Sequence, residues 1–423
     1  MSASADFAED RRPSTRFERT LLQRVMKARG SPPITFELWD GAEIPPERGP
    51  SLGRVRFSSP RTLLEVALRP DPAMGEAYVE GRIEVDGDLQ ALVDAAFGSG
   101  TATPNRLRAL LDPLTAWLRA TSRSRAKRNI HRHYDLGNDF YRLWLDEHMQ
   151  YTCAFFPTPD ASLERAQLAK LERVCRKLAL RPGERVIEAG CGWGGLALHM
   201  AERHGVRVRA FNISEEQIAW AREQARRRGL SKQVEFVQDD YRSARGECDA
   251  FVSVGMLEHV GRRHFATLSR VIDRVLVREG RGLVHSIGRA RPQHMNLWLE
   301  QNIFPGAYIP SLREMMAVFE PARFAVLDVE NLRRHYARTL DHWLARFERA
   351  VPEIERRYGP EFVRMWRLYL VSSGASFRTG SCQLFQIVFA RQGSDAIPWS
   401  RDELDLPGSG DLDLEADADR ATT

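Results

Sequence analysis

Arg185-Val-Ile-Glu-Ala-Gly-Cys-Gly-Trp-Gly-Gly195 decides the fold. Val186, Ile187 and Ala189 read as a buried strand, the glycines at 190, 192 and 194 as a tight turn, and 196–203 as a helix. A strand passing through a glycine-rich turn into a helix is the opening unit of an open α/β sheet, and such sheets bind ligands beyond the carboxyl ends of their strands. Glycines there let the main chain approach a ligand closely. Outward from this unit the spacing predicts helix 163–179, strand 185–189, helix 194–204, strand 206–212, helix 215–228, strand 234–238 and strand 249–254. That alternation implies an α/β fold with a mostly parallel, doubly wound sheet and helices on both faces.

Glycine-rich turns also cradle pyrophosphate. Here the spacing is Gly-x-Gly-x-Gly-Gly rather than Gly-x-Gly-x-x-Gly, and Glu188 just before the turn would repel a phosphate. A carboxylate in that place suits the sulfonium and amino groups of S-adenosylmethionine. In Phe211-Asn-Ile-Ser-Glu-Glu-Gln217, Ser214 and Gln217 are spaced as a capping box for the helix that stops at Gly229. Gln238-Asp-Asp-Tyr241 places Asp239 and Asp240 at the same sheet edge, where they either accept from an adenine amino group or are simply solvated.

At 423 residues the chain is long enough for two or three domains of about 150 residues each. No stretch approaches the roughly 18 consecutive apolar residues of a spanning helix, and the first 13 residues carry Asp6, Glu9 and Asp10 in place of a signal-peptide core. A cytoplasmic location is expected. The five cysteines (Cys153, Cys175, Cys191, Cys248, Cys382) show neither CxxC nor zinc spacing, so reduced thiols and no metal are expected. A net charge of +5 is too mild to indicate nucleic acid. Its distribution is more informative. Arg119, Arg123, Arg125, Lys127, Arg128 and Arg132 make a basic segment, either a solvated linker or a surface for anionic lipid headgroups, whereas 401–423 is acidic and lacks aromatic residues. The expected organisation is a flexible N-terminus (1–30), a small α+β domain (31–104) with strands at 34–39 and 54–57 and a helix at 63–68, a basic linker (105–132), a catalytic domain (133–395) and a disordered acidic tail (396–423), with a hinge at 98–104.

Four further segments are His133-Tyr-Asp-Leu-Gly-Asn-Asp-Phe-Tyr141 running to Met149-Gln-Tyr-Thr-Cys-Ala-Phe155, Val254-Gly-Met-Leu-Glu-His-Val-Gly261, His285-Ser-Ile-Gly288, and Tyr336-Ala-Arg-Thr-Leu340 with Phe377-Arg378. In this order, with the glycine loop, they resemble the cyclopropane-fatty-acyl-phospholipid synthase and mycolic acid cyclopropane synthase family from about residue 30 to 391. Met74-Gly-Glu-Ala-Tyr78 and Val85-Asp-Gly-Asp88 resemble the small extra domain of its phospholipid-acting branch. The resemblance implies a Rossmann-like class I methyltransferase fold. It also implies that Tyr151, Thr152, Gly190, Asn212, Gln217, Asp239 and Asp240, beside Glu188 and Gly192 of the loop, contact S-adenosylmethionine. Bicarbonate would be held by Cys153, Glu258, His285, Ile287 and Tyr336. Ser373 stands where some bacterial members carry cysteine, and it is given no essential role. A homodimer is a weaker implication.

Methyl transfer to an unactivated cis double bond leaves a carbocation, which aromatic faces stabilise without capturing it. Tyr134, Phe155, Phe156, Tyr308, Tyr336 and Phe377 are candidates. Ring closure then removes a proton. Bicarbonate would take it, with Glu258 and His285 passing it onward; Cys153 would act through its amide and Tyr336 through its hydroxyl. The implied activity is cyclopropane formation on an unsaturated phospholipid acyl chain. Peripheral contact with the anionic inner membrane would come through 119–132 and the apolar Phe304-Pro-Gly-Ala-Tyr-Ile-Pro310. Methylene- or methyl-branched products, N-methylation of a small amine and a non-catalytic lipid-binding protein are the alternatives.

Overall fold

The computed structural model describes residues 12–99 and 136–394. The basic segment, residues 100–104 of the expected hinge, Tyr134 and the acidic tail lie outside the described residues. The chain divides into two compact units: Met1–Arg119 with Met295–Phe304 and Trp343–Gly380, and Ala120–His294 with Pro305–His342 and Ser381–Thr423.

In the first unit β1 (Thr35–Glu37), β2 (Glu43–Ile44), β3 (Gly53–Phe57) and β4 (Ile83–Gly87) form a sheet in the order β2-β1-β3-β4. The pairing of β1 with β3 is parallel and the others are antiparallel. Helix Pro60–Leu68 covers the expected 63–68. Residues 12–30 depart from the flexible terminus expected there, because Arg16–Ala28 is a helix. Thr15 and Glu18 close a reciprocal capping box, and Leu22 and Met26 are buried in a cluster with Phe36, Phe57 and Leu63. The unit also departs from the contiguous 31–104 domain by taking in two distant segments. The Asp71 carboxylate accepts from the backbone N–H of Leu297 at 2.9 Å and of Trp298 at 3.1 Å. Arg364 donates to the carbonyls of Tyr78 at 2.6 Å and Ile83 at 2.8 Å.

In the second unit β5 (Arg185–Ala189), β6 (Arg207–Asn212), β7 (Val234–Gln238), β8 (Cys248–Val254), β9 (Leu276–Gly288), β10 (Phe324–Asn331) and β11 (Gln383–Arg391) form a sheet in the order β10-β11-β9-β8-β5-β6-β7. The pairings from β9 through β7 are parallel, and β11 runs antiparallel to both its neighbours. This is the mostly parallel, doubly wound sheet expected, and each of the four expected strands lies within one residue of its predicted bounds. One face packs Val186, Val208, Val252 and Leu283 against Leu171, Val174, Leu196, Met200 and Ile218. The other packs Ile187, Phe251, Val284 and Phe389 against Leu257, Phe265, Leu268 and Ile272. Strand order reverses at β5, which lies between β6 and β8, so a crevice forms beyond its carboxyl end.

Candidate active site

The crevice holds a cavity whose walls include Tyr151, Thr152, Glu188, Gly190, Gly192, Asn212, Gln217, Asp239 and Asp240, all nine residues expected around a cofactor. The loop shapes it through its backbone. Gly190 has φ +83°, and a Cβ there would lie 2.9 Å from that of Met256; Gly192 has φ +53° and faces open space. Both left-handed conformations favour glycine. Asn212 Nδ2 donates to the Gly192 carbonyl at 3.2 Å and to Gln217 Oε1 at 2.7 Å. Only half of the expected capping box forms: Ser214 Oγ accepts from the Gln217 amide at 3.4 Å, while the Gln217 side chain turns to Asn212 instead.

Glu188 is the electrostatic feature of this wall. It is buried, it accepts from the Ala197 amide, and its Oε2 lacks a hydrogen-bond partner. Burial pushes its carboxyl up to about 8, against the pull of Lys170 and that amide. A buried carboxylate oxygen without a donor, on the wall of a cavity, fits a cationic ligand, and S-adenosylmethionine offers a sulfonium and an ammonium. The two aspartates differ. Asp240 is committed to Arg242, accepting from its amide at 2.9 Å and its guanidinium at 3.3 Å, whereas Asp239 is exposed and receives the Asp240 amide at 2.7 Å. Of the pair, only Asp239 is left exposed on the cavity wall.

Tyr151 sits 5.5 Å from Tyr141 and 5.3 Å from Trp144, ring centre to ring centre, and Trp193 lies 5.0 Å from Tyr141. Behind this aromatic wall is a residue that sequence reasoning missed. Lys170 is fully buried, and its Nζ donates to Gln150 Oε1 at 2.6 Å and Thr152 Oγ1 at 3.0 Å. Burial lowers its ammonium to about 8. His259, also missed, lines the cavity and is pushed down to about 4 by burial.

Of the residues assigned to the anion, Glu258 and Ile287 meet at the end of β9, and His285 lies two residues earlier on the same strand. Glu258 is buried on the short helix Leu257–Val260; its Oε1 accepts from the Ile287 amide at 2.6 Å, and its Oε2 has no hydrogen-bond partner. Burial pushes it up to about 7. The Ile287 amide, expected to hold bicarbonate, is therefore taken by Glu258. His285 Nδ1 lies 3.1 Å from Gln386 Nε2, and burial lowers the imidazole to about 3. Burial thus keeps the imidazole neutral at physiological pH. Cys153 donates its thiol to the Ala154 carbonyl at 3.1 Å, and burial pushes that thiol far up, so the sulfur stays protonated. The Cys153 sulfur lies 4.0 Å from the Leu332 carbonyl, which also accepts from the Tyr336 amide at 3.2 Å. Leu332 in turn donates to Leu384, the β11 partner of Ile287. These steps bring Cys153 and Tyr336 beside the strand pair that carries Ile287.

The candidate aromatic faces are mostly occupied. Phe155 stacks on His335 at 4.6 Å with the Arg173 guanidinium 4.4 Å from its centre, and Phe156 stacks on His342 at 5.2 Å beside Arg338. Tyr308 donates its hydroxyl to Glu314 at 2.6 Å and its amide to the Glu258 carbonyl at 2.8 Å, so it braces the Glu258 helix.

Residues 121–387 match the family model for mycolic acid cyclopropane synthetase, and residues 21–105 match a domain of unknown function. The chain is 38% identical over 340 residues to the cyclopropane-fatty-acyl-phospholipid synthase of Escherichia coli (strain K12), covering 80% of this chain and 87% of that one. It is 33% identical over 393 residues to a probable fatty acid methyltransferase of Pseudomonas putida, covering 88% and 96%. A solved structure of a mycolic acid cyclopropane synthase complexed with SAH and CTAB superposes with a TM-score of 0.60 at 27% identity, covering 63% of this chain and 98% of that one. The seven-stranded sheet is thus a Rossmann-like class I methyltransferase fold, and the chain belongs to the mycolic acid cyclopropane synthetase family of S-adenosylmethionine-dependent methyltransferases.

Proposed function

We propose that this enzyme methylates the cis double bond of an unsaturated phospholipid acyl chain and closes the product to a cyclopropane. One observation carries the reading: Glu258 is buried with its Oε1 bonded to the Ile287 amide and its Oε2 without a hydrogen-bond partner, and burial holds its carboxyl near neutrality. A group with that affinity can accept a proton at physiological pH and release it. S-adenosylmethionine, when bound, supplies an electrophilic methyl on a sulfonium; Glu188, Gly190, Gly192 and Asn212 would hold it, with Tyr151, Thr152, Gln217 and Asp239 along the same walls. The bare Glu258 Oε2 fits an anion that still carries a proton, as bicarbonate does, because a fully ionised anion would meet a buried carboxylate. Bicarbonate, when bound, would supply a proton acceptor there, and Glu258 would hold it. His285, neutral and fixed on Gln386, serves as a polar wall.

The acyl chain comes from a bilayer, so we also place the enzyme peripherally on the anionic inner face of the membrane. No helix among the described residues is long and apolar enough to cross a membrane. A methyl- or methylene-branched product is the second reading, favoured by a relative named a tuberculostearic acid methyltransferase of Mycobacterium tuberculosis, 34% identical over 339 residues.

Both readings meet in one experiment. Purified enzyme with S-adenosylmethionine and vesicles of anionic, cis-unsaturated phospholipid should add 14 mass units (about one CH2) per double bond by mass spectrometry, with ring and branched products separated by chromatography. Glu258→Gln should spare cofactor affinity and lower turnover by about 100-fold or more, the scale of a lost acid–base group. Wild-type turnover in that variant would remove Glu258 from the chemistry, and a branched product would replace the ring reading. Vesicle sedimentation that ignores both added salt and neutralisation of Arg123, Arg125, Lys127 and Arg128 would refute the membrane placement.

A further inference from the structure

Away from the cavity, the far halves of two adjacent helices bring together Glu172 and Cys175, three apart on Leu163–Lys177, with His199 and His204 of Gly195–His204. The Cys175 sulfur and one ring nitrogen of each histidine all lie within 4.8 Å of one another. Glu172 Oε2 lies 3.3 Å from His199 Nε2 and 3.1 Å from His204 Nε2. Cys175, His199 and His204 thus bring one sulfur and two nitrogen donors together, and Glu172, bonded to both imidazoles, supplies an oxygen beside them. We propose that these residues form a tetrahedral site for a thiophilic divalent cation, zinc by preference, that staples the two helices together.

Three observations carry this. The first is geometry: Zn–N and Zn–O bonds near 2.1 Å at a tetrahedral angle put neighbouring ligand atoms about 3.4 Å apart, close to the measured carboxylate–imidazole separations. The second is charge. A thiolate and a carboxylate balance the two charges of the ion, so the filled site is neutral, as a buried site requires. Cys175 is fully buried, and the partly accessible His204 offers an entry path. The third is support around the ligands: Arg176 donates to Glu172 Oε1 at 2.9 Å, which orients the carboxylate and leaves Oε2 to the histidines. His204 also ends its helix, where the dipole favours a cation. Without an ion, two imidazoles compete for a single carboxylate oxygen and the thiol faces them as a spectator.

The arrangement was concealed from spacing rules. Its ligands come from two helices, with Cys175 and His199 separated by a strand and the cofactor loop, so no CxxC or HxxxH pattern marks it.

The test uses full-length, untagged protein stripped with a chelator, with Co2+ as the spectroscopic probe and Zn2+ as the competitor. We expect one equivalent of Co2+ to give a thiolate-to-cobalt charge-transfer band with intense tetrahedral d–d absorption, Zn2+ to abolish both, and Zn2+ to raise Tm. Cys175→Ser should remove the charge-transfer band, and His204→Gln, at the accessible edge, should weaken Zn2+ binding at least tenfold while the fold is retained by circular dichroism. Bound cobalt with no thiolate band in the wild type, Zn2+ affinity unmoved by His204→Gln, or no metal uptake by stripped protein would each overturn the proposal.

Discussion

At the scale of the residue, burial decides which groups do chemistry. Glu188 and Glu258 are both carboxyls whose folded values lie above the ordinary range, at about 8 and about 7, with desolvation as the first cause of each. Their folded forms bind more protons than the unfolded chain between pH 4.5 and those values, so they favour the native state below that window and lose the contribution as pH rises through it. A cation at Glu188 reverses the situation, because binding then requires the carboxylate. S-adenosylmethionine affinity should therefore rise as pH increases towards about 8, by up to tenfold per unit, and level off above it. Calorimetric titration from pH 6 to 9 checks this, with Glu188→Gln expected to bind more weakly and with a flat profile. A flat wild-type profile would show that Glu188 does not meet the cation. The sequence made Glu188 legible, because an acid immediately before a glycine turn occupies a known place in this kind of sheet. It could not show that Asp240 is spent on Arg242, nor that Glu258 is bonded to Ile287, because those contacts depend on side-chain direction rather than spacing.

At the scale of the element, the helix Leu163–Lys177 acts as a ruler for the cavity wall. Gln167 Nε2 donates to the carbonyls of Gln150 at 3.3 Å and Thr152 at 2.9 Å, and Lys170, one turn on, takes the side chains of the same two residues. Residues three apart on a helix share a face, so one face fixes the three-residue stretch 150–152 that would otherwise be loop. Lys170 also pulls Glu188 downward. Lys170→Met should leave Gln150 and Thr152 short of a buried donor, at a cost of about 1–3 kcal/mol in stability. It should also move the pH midpoint of cofactor binding above that of the wild type. A packing defect alone would lower Tm without moving that midpoint, so an unshifted midpoint would reduce Lys170 to scaffolding. The helix itself was legible from its period, and the structure adds the Ser162 cap at its start. Lys170 was not singled out, although its place between Ala166 and Val174 on the buried stripe marks it as a charge carried inside, and that was the available signal.

At the scale of the whole molecule, the chain is less linear than its sequence suggests. The glycine loop and the alternating pattern announced β5 to β8 of the second unit to within a residue, since each is a short apolar run bounded by turns, whereas β9 to β11 were not predicted. The first unit was only partly visible, because its completion comes from residues far along the chain. Trp298 packs on Gly75, where a Cβ would stand 2.6 Å from the indole, and Arg378 pairs with Asp94 at 2.7 Å. Arg364 also lies 4.6 Å from the Tyr78 ring centre while its guanidinium serves the carbonyls of Tyr78 and Ile83. No local pattern predicts such pairings, which need the tertiary fold to exist first. The consequence is that the unit is stabilised jointly by its early and late segments. Arg364→Ala should cost about 2–4 kcal/mol, from two charge-assisted hydrogen bonds and one cation–π contact, while Arg364→Lys should recover less than half because one ammonium cannot span both carbonyls as the fork does. Urea unfolding followed by tryptophan fluorescence measures it, since Trp298, Trp343 and Trp366 are all buried in this unit. If Arg364→Ala unfolded at the wild-type midpoint, the early and late segments would be neighbours without energetic coupling, and residues 31–104 would have to be regarded as a self-sufficient domain after all.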